Sequence, residues 1–363
     1  MSLWSATEKN SWDRQVKGEI QIMQNDTVQN DTTQSEIIQS DAAQSETNSK
    51  ELKDLKYTGR MGQTFIYLIK LLRIFVFQSD WIVLPMAAII AAMVSIAVGG
   101  GLFLTMEGTF QGTFALCCVG IWNGFFNSIQ SICRERDVIK REHRAGLHIT
   151  SYVLAHTIYQ TMLCALQTAI TLSVCHLCGV YYPSKGVITG NFVAELYITV
   201  FLITLSSDLL ALMISAMVRT TTAAMTVMPF MLIVQLVFAG FFTLPDMLND
   251  VSDLMISKWG VQGLCAVGHY NDLPAVVIWN KMAKAGDKVE LGAGYTLKDV
   301  MDLVEEQGMK ETVQRKLGEA SQNVNFDSTI DNVLSAWGML LIFAFVYDFI
   351  TVVCLEFIDR DKR

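Results

Sequence analysis

A short charged segment between two apolar stretches holds the side chains that are best suited to chemistry. Residues 133–156 read CRERDVIKREHRAGLHITSYVLAH. The acids Glu135, Asp137 and Glu142 are interleaved with cations, a pattern that favours specific ion pairs. We therefore expect this segment to contact a soluble protein partner; the alternative is that its positive charge only fixes one side of a membrane protein. The cations are Arg134, Arg136, Lys140, Arg141 and Arg144.

The same segment carries signals for a sharp reversal of the chain. Gly146 tolerates backbone conformations that other residues avoid, so it permits a tight turn. Thr150 or Ser151 has the side-chain oxygen expected of a residue that caps the start of a helix. We predict a charged helix, a turn at Gly146 and a second helix, and we call residues 133–156 the elbow.

Motifs for catalysis and metal binding are absent from the sequence. It contains no G-x-x-x-x-G-K-[ST], G-x-S-x-G or H-E-x-x-H pattern, and its eight cysteines lack the spacing of a zinc site. The histidines at 143, 148, 156, 176 and 269 are scattered. We expect no catalytic residue, no metal, no cofactor bound by this chain and no nucleic-acid partner, so the chain is not an enzyme by itself.

Two acids interrupt otherwise apolar stretches. Asp208 and Asp348 each lie within a run of hydrophobic residues. An acid inside a bilayer is costly to insert and is a candidate functional residue. Asp208 is the deeper of the two, and both a structural role and a proton-sensing role are open for it. Asp348 lies near the end of its run, where reaching the interface or pairing with Arg219 is expected.

The apolar stretches themselves predict an all-α membrane protein. Hydrophobic residues make up 52% of the chain and charged residues 17%, whereas soluble domains average about 25% charged residues. Residues 81–104 are uncharged, and as a helix they extend about 36 Å, which exceeds the roughly 30 Å of a bilayer core. We predict six spans, at about residues 81–104, 109–132, 151–178, 192–218, 222–243 and 333–355.

The positions of Lys and Arg predict the orientation of these spans. The elbow, Arg219 and the C-terminal cations fall on the same side of the predicted bundle. Because cytoplasmic connections are enriched in Lys and Arg, we expect both termini to be cytoplasmic in a multi-pass plasma-membrane protein. The other cations on that side are Lys70, Arg73, Arg360, Lys362 and Arg363.

The longest connection, residues 244–332, is then expected outside the membrane. Its beginning is semi-apolar, which indicates a segment that dips into the interface. Residues 296–320 alternate charged and apolar positions at helical spacing, so we predict a small helical cap. A disulfide from Cys265 to Cys175 or Cys178 is open if these ends share the outer side.

The first 56 residues differ in composition from the rest. Residues 23–47 repeat a five-residue unit, MQNDT, VQNDT, TQSEI, IQSDA and AQSET. Such a polar tract buries too little apolar surface to offset the entropy of ordering it. We predict a disordered cytoplasmic tail, either a plain low-complexity tail or a tether for a partner.

An amphipathic helix is predicted between this tail and the first span, at residues 60–78. Gln63, Tyr67, Lys70 and Arg73 fall near one another on a helix whose remaining surface is apolar. Such a helix suits the bilayer interface, where its cations face anionic lipid headgroups. We therefore expect membrane lipids to be a partner of this segment.

Three sequence patterns resemble the permease domain of type-2 ABC exporters, specifically the bacterial branch of the G subfamily. The elbow carries R-E-x-x-A-G-x-x-x-x-S-Y-x-x-A over residues 141–155. The fifth predicted span ends in F-A-G-F-F-T-L-P, and S-K-W-G-V-Q-G-L over residues 257–264 is followed by N-D-L at 271–273. The resemblance covers residue 57 to the C-terminus, and the amphipathic helix before the first span agrees with it.

The resemblance implies a role for each of these segments. The elbow would couple the permease to a separate ABC ATPase, which would bind ATP and Mg²⁺, with the amphipathic helix lying against the elbow. A second permease copy or a homologue would complete a dimer, and a hydrophobic or amphipathic cargo would lie between the protomers. The implied coupling residues are Arg134, Arg136, Lys140, Arg141, Glu142, Arg144 and Gly146; the cargo-cleft candidates are Asn123, Phe126, Asn127, Ile233, Gln235 and Leu236; the outer plug is Phe241 and Phe242.

One departure from the family keeps other interpretations open. Family members commonly carry the ATPase on the same chain, and the tract before Tyr57 is too short for one. We therefore expect a separately encoded ATPase, or the permease part of a split transporter. The alternative from another functional class is an ATP-independent membrane protein, such as a secondary carrier or a scaffold.

Overall fold

A computed structural model describes residues 59–77, 80–239, 250–286, 288–292, 295–319 and 322–357. The repeat tract at 23–47 and the predicted plug at Phe241 and Phe242 lie outside these residues. The helices are α1 Arg60–Phe77, α2 Val83–Val98, α3 Met106–Ser128, α4 Ser131–Arg144, α5 Ile149–Leu177, α6 Phe192–Met217, α7 Thr221–Val237, α8 Ile256–Val267, α9 Val276–Gly286, α10 Leu297–Glu306, α11 Lys310–Gly318 and α12 Ile330–Glu356. A two-stranded antiparallel hairpin joins β1 Glu290–Gly292 to β2 Tyr295–Thr296.

Five helical segments of the described chain are long and apolar enough to cross a membrane. They confirm an all-α membrane protein. The sixth predicted span, 222–243, is represented by α7, which has 17 residues, contains Pro229 and ends at Val237. At about 26 Å, α7 is shorter than a bilayer core, so the structure does not confirm six spans. The five segments are Val83–Gly101, Met106–Arg144, Ile149–Leu177, Phe192–Met217 and Ile330–Glu356.

Helix α6 forms the centre of the bundle. It packs against α3, α5, α8 and α12 and is buried along most of its length. A helix that is apolar on all sides is stable only when other elements surround it. Two of its buried hydroxyl groups bond to its own backbone: Thr199 Oγ1 donates to Glu195 O at 2.8 Å, and Thr204 Oγ1 donates to Val200 O at 2.9 Å. These bonds satisfy the buried hydroxyl groups without breaking the apolar packing.

Small residues bring α3 and α6 into close contact. A Cβ atom on Gly124 would lie 2.2 Å from Ser207 Oγ and 2.5 Å from Thr204 O. At Gly120, one turn earlier, the nearest atom would be Ile203 Cγ2 at 3.1 Å. Glycine allows membrane helices to approach until their backbones touch, where dispersion contacts are densest.

Helix α8 lies at the start of the long connection. The semi-apolar segment forms a buried helix between α3, α6 and α12, and its depth in the membrane stays a prediction. A Cβ on Gly260 would lie 2.8 Å from Cys117 Sγ, and one on Gly263 would lie 3.2 Å from Ala336 Cβ. Its 12 residues extend about 18 Å, which is too short to cross a bilayer. The two glycines let this short helix pack closely against its neighbours inside the bundle.

The rest of the long connection forms the predicted small helical cap. Helices α10 and α11 occupy the segment where helical spacing predicted them, and Trp279 and Met301 are buried. Thr296 and Asp299 form a capping box at the start of α10. The hydrogen bonds from Thr296 hold the pKa of the Asp299 carboxyl below its ordinary value. The cap is tied to α3 because Val277 N donates to Glu107 Oε1 at 3.0 Å.

All eight cysteines lie among the described residues, and each is free. Cys265 Sγ lies 3.3 Å from Thr113 Oγ1, and Cys175 Sγ accepts a hydrogen bond from Ser95 Oγ at 3.1 Å. The disulfide that the sequence left open is therefore absent. Buried cysteine acts here as a small apolar side chain with weak hydrogen-bonding capacity.

Candidate functional site

The elbow has the helix–turn–helix geometry that its sequence predicts. Helix α4 follows α3 after Ile129 and Gln130, which keep helical backbone angles. The turn comes at Gly146, whose φ of 104° is favourable only for glycine. Leu147 N donates to Glu142 O at 3.0 Å, which closes the end of α4. The predicted capping residue is wrong: α5 begins after His148, because Ser151 N already donates to His148 O at 3.0 Å.

Helix α1 lies against the elbow and clamps its backbone. Gln63 Nε2 donates to Gly146 O at 3.3 Å, and His148 N donates to Gln63 Oε1 at 3.0 Å. One amide side chain thus holds both sides of the turn. This arrangement confirms the expectation that the amphipathic helix contacts the elbow.

The polar face of α1 pairs with α4. Tyr67 donates its hydroxyl hydrogen to the Glu142 carboxylate, and Lys70 Nζ lies 3.3 Å from Glu135 Oε2. Burial, the bond to Glu142 and the nearby carboxylates raise the pKa of Tyr67, so its hydroxyl remains a donor at neutral pH. Lys70 thus pairs with a carboxylate of α4, whereas Arg73 is exposed, and the contact of this helix with lipid headgroups stays a prediction.

The elbow cations divide into an inward and an outward group. Arg136 Nη1 donates to Ala216 O at 2.8 Å and to Val218 O at 2.9 Å, so it caps the C-terminal end of α6. Ser215 Oγ accepts from the backbone N–H of both Ile132 and Cys133 at 3.1 Å. These contacts fix the start of α4 on the end of α6. Arg134, Arg141 and Arg144 are exposed, and Lys140 is half-buried.

The two intramembrane acids are held by hydroxyl groups of neighbouring helices. Ser128 Oγ donates to Asp208 Oδ1 at 2.8 Å, and Gln160 Nε2 donates to Ser128 Oγ at 2.7 Å. This chain of bonds joins α5, α3 and α6 at a fully buried carboxyl. Thr157 Oγ1 donates to Asp348 Oδ1 at 2.7 Å, so the hydrogen bond of Asp348 goes to α5 rather than to the predicted partner Arg219.

The six cargo-cleft candidates occupy different environments. Phe126 on α3 and Ile233 on α7 are 54% and 56% exposed, and they lie on apolar outer surfaces. Gln235 Oε1 accepts from Ser257 N at 3.1 Å, which turns this side chain into the protomer. Asn127 exchanges two hydrogen bonds with Gln167, at 2.8 and 3.0 Å. Asn123 is buried and Leu236 is half-buried.

A cavity of about 250 Å³ lies beside the elbow, and the sequence did not reveal it. His156 and Gln160, 3% and 1% exposed, lie one helical turn apart on its α5 wall. Their spacing of four residues places them on one face of α5, but this spacing alone does not mark that face as a cavity wall. The other lining residues include the apolar side chains Leu71, Ile74, Phe126, Ile129 and Leu163 and the polar or charged side chains Asn127, Gln130, Ser131, Arg134 and Glu135.

Comparison with known proteins gives a family match for this chain. Residues 65–267, more than half of the chain, match the ABC-2 type transporter family. An ABC transporter ATP-binding/permease protein of Mycobacterium tuberculosis (strain ATCC 25618 / H37Rv) is 28% identical over 144 residues. That match covers 39% of this chain and 16% of the relative, so the chain corresponds to a small part of the relative's length.

Proposed function

Because the chain belongs to the ABC-2 type transporter family, we propose that this permease exports a hydrophobic or amphipathic cargo, using ATP hydrolysed by a separate ATPase domain or subunit. The observation that carries the proposal is the elbow, in which exposed arginines lie at the end of a helix that continues into the bundle. ATP and Mg²⁺ would be held by the ATPase.

The elbow is built to transmit movement. The helical segment Met106–Arg144 has 39 residues, and it extends about 58 Å if straight. Tyr67 and Lys70 of α1 contact its elbow end, and its own Arg136 bonds to the C-terminal end of α6. Gln63 holds the turn that follows. A push on Arg141 or Arg144 would therefore move α3 as a unit, together with the exposed side chain of Phe126. Coupling of this kind requires two discrete arrangements of packed helices rather than gradual bending.

A second copy of the chain would complete the cargo cleft. Exposed apolar side chains on α3 and α7 are unfavourable in water. They favour contact with either lipid or a facing protomer. We assign Phe126 and Ile233 to the cleft on this basis. The exposed side chains of these two helices also include Trp122, Met225 and Phe230. Asn123 and Gln235 are left out because they are buried within one protomer.

The test reverses the charge of the outward arginines. We expect Arg141→Glu combined with Arg144→Glu to lower transport about tenfold or more, while the ATPase continues to hydrolyse ATP and the chain remains in the membrane. The physical reason is that reversed charge repels the ATPase surface that the arginines contact. Transport and ATP hydrolysis are measured together in proteoliposomes containing the permease and its ATPase.

The matched control makes the same change elsewhere. Lys281→Glu combined with Lys284→Glu reverses two exposed cations on α9 in the cap, and we expect transport to stay coupled. If transport stays coupled to ATP hydrolysis in the arginine variant, the elbow is not the coupling element.

An ATP-independent, proton-coupled carrier is the second candidate. The observation in its favour is the buried Asp208, joined through Ser128 to Gln160. Asp208→Asn keeps the oxygen that accepts from Ser128 but removes the titratable carboxyl group, so the side chain can no longer take up and release a proton. We expect this variant to continue to export cargo and to require ATP for it. That result would exclude the proton-coupled carrier.

A further inference from the structure

We infer that the cavity beside the elbow binds the head group of an acidic phospholipid that carries free hydroxyls, a glycerophosphate head such as that of phosphatidylglycerol. The cavity lies among α1, α2, α3, α4, α5 and α7 of one protomer, so it needs neither a second copy nor an ATPase. The inference goes beyond the proposed export function and does not rest on it.

Buried polar groups without partners point to a ligand. Both ring nitrogens of His156 and Oε1 of Gln160 have no hydrogen-bond partner within the described part of the chain. Both side chains are more than nine-tenths buried and line the cavity. Since unsatisfied buried polar groups are costly, such groups usually have a partner that the protein itself does not supply.

The chemistry of these groups defines the partner. A neutral histidine offers one donor and one acceptor, and Gln160 Oε1 is an acceptor only. The amide nitrogen of Gln160 is already used, because it donates to Ser128 Oγ at 2.7 Å. The ligand must therefore both donate and accept at short range, which hydroxyl groups do.

The charge at the cavity wall favours a phosphate. Glu135 and Arg134 both line the cavity, but the charge of Glu135 is offset by Lys70 at 3.3 Å. The exposed Arg134 leaves the wall with one excess positive charge, which suits a phosphodiester. A zwitterionic head would bring an ammonium group with no matching acid, since Glu135 is already paired.

The apolar part of the wall favours a lipid over a free solute. Leu71, Ile74, Ile129 and Leu163 line the cavity, and Phe126 continues it to an exposed apolar surface. An acyl chain can leave along Phe126 while the head remains at His156 and Gln160. The volume of about 250 Å³ exceeds the space that a single water molecule requires many times over.

Native mass spectrometry of the full-length chain in detergent tests the inference without any ATPase. The chain is titrated separately with phosphatidylglycerol and with phosphatidylcholine. We expect phosphatidylglycerol to bind about tenfold more tightly, and His156→Leu combined with Gln160→Leu to remove that difference. Arg134→Gln should weaken phosphatidylglycerol binding as well, because it removes the excess charge.

The matched control is His176→Leu, the same substitution at an exposed position near the other end of α5. It should leave the preference for phosphatidylglycerol unchanged. Equal affinity for the two lipids, or an unchanged preference in the double variant, would overturn the inference and leave a cavity filled by water only. Loss of the preference in the control variant would also overturn it.

A second measurement uses the unmodified chain in case the double variant does not fold. Photoreactive phosphatidylglycerol is incorporated into membranes that contain the chain, and the crosslinked peptides are identified. Labelling of α5 near Gln160, or of α1 near Leu71, supports the site. Labelling confined to other helices overturns it. Neither result depends on transport, so failure here is distinct from failure of the export proposal.

Discussion

Arg136 and Arg141 lie five residues apart in the same charged segment, yet they face different surroundings. Arg136 donates to two carbonyl groups at the end of α6, whereas Arg141 is exposed. The sequence placed both in the coupling group, because alternation of charge does not reveal which side of a helix meets a neighbour. Only the packing of α4 on α6 separates structural cations from those available to a partner.

Replacement of Arg136 tests this separation. We expect Arg136→Ala to lower the free energy of unfolding by about 2–4 kcal/mol, since two hydrogen bonds from a charged donor are lost and the carbonyls of the buried Ala216 and the half-buried Val218 lose that donor. Thermal unfolding of the detergent-solubilised chain measures the change. Arg141→Ala, the matched exposed position, should alter stability by about 0.5 kcal/mol or less. Equal effects of the two substitutions would contradict the division.

The helices illustrate what hydropathy can and cannot predict. Apolar runs of more than 20 residues gave α3, α5, α6 and α12 with bounds within a few residues, because burial of apolar surface in lipid depends on local composition. Helix α8 was missed because its glycines and polar residues lower local hydropathy, although those glycines allow its burial. The cavity was missed for a related reason: its lining comes from helices that are far apart in the sequence, and no local pattern records that.

Helix packing gives a prediction at Gly124. A methyl group there would lie within 2.5 Å of α6, so we expect Gly124→Ala to destabilise the chain by about 1–3 kcal/mol through overpacking. Gly338→Ala on α12 is the control, since a Cβ there meets no atom within 4 Å. The control should be neutral or slightly stabilising, because alanine favours helix more than glycine does. Thermal unfolding of both variants measures these changes in stability. An unchanged stability of Gly124→Ala would argue against the close contact of α3 and α6.

For the whole molecule, the predicted orientation determines which surface meets the ATPase. We expect a cysteine at Lys284, an exposed position in the cap, to react with a membrane-impermeant maleimide on intact cells. A cysteine at Arg144 in the elbow should react only after permeabilisation. Both are made in a Cys178→Ser background, because Cys178 is exposed and is itself expected outside. Reaction at Arg144 in intact cells would reverse the topology.

The clamp formed by Gln63 has a consequence for how such permeases can diversify. Gln63 donates to Gly146 O and accepts from His148 N, both backbone atoms of the turn. This contact of α1 therefore does not depend on which side chains the turn displays. Substitutions at positions 141 and 144 can fit the permease to a different ATPase surface while the bracing stays intact. On the proposed coupling, the ATPase partner and the contact between α1 and the elbow can therefore change independently. A related transporter could then adopt a different ATPase through substitutions on the outward face of the elbow alone.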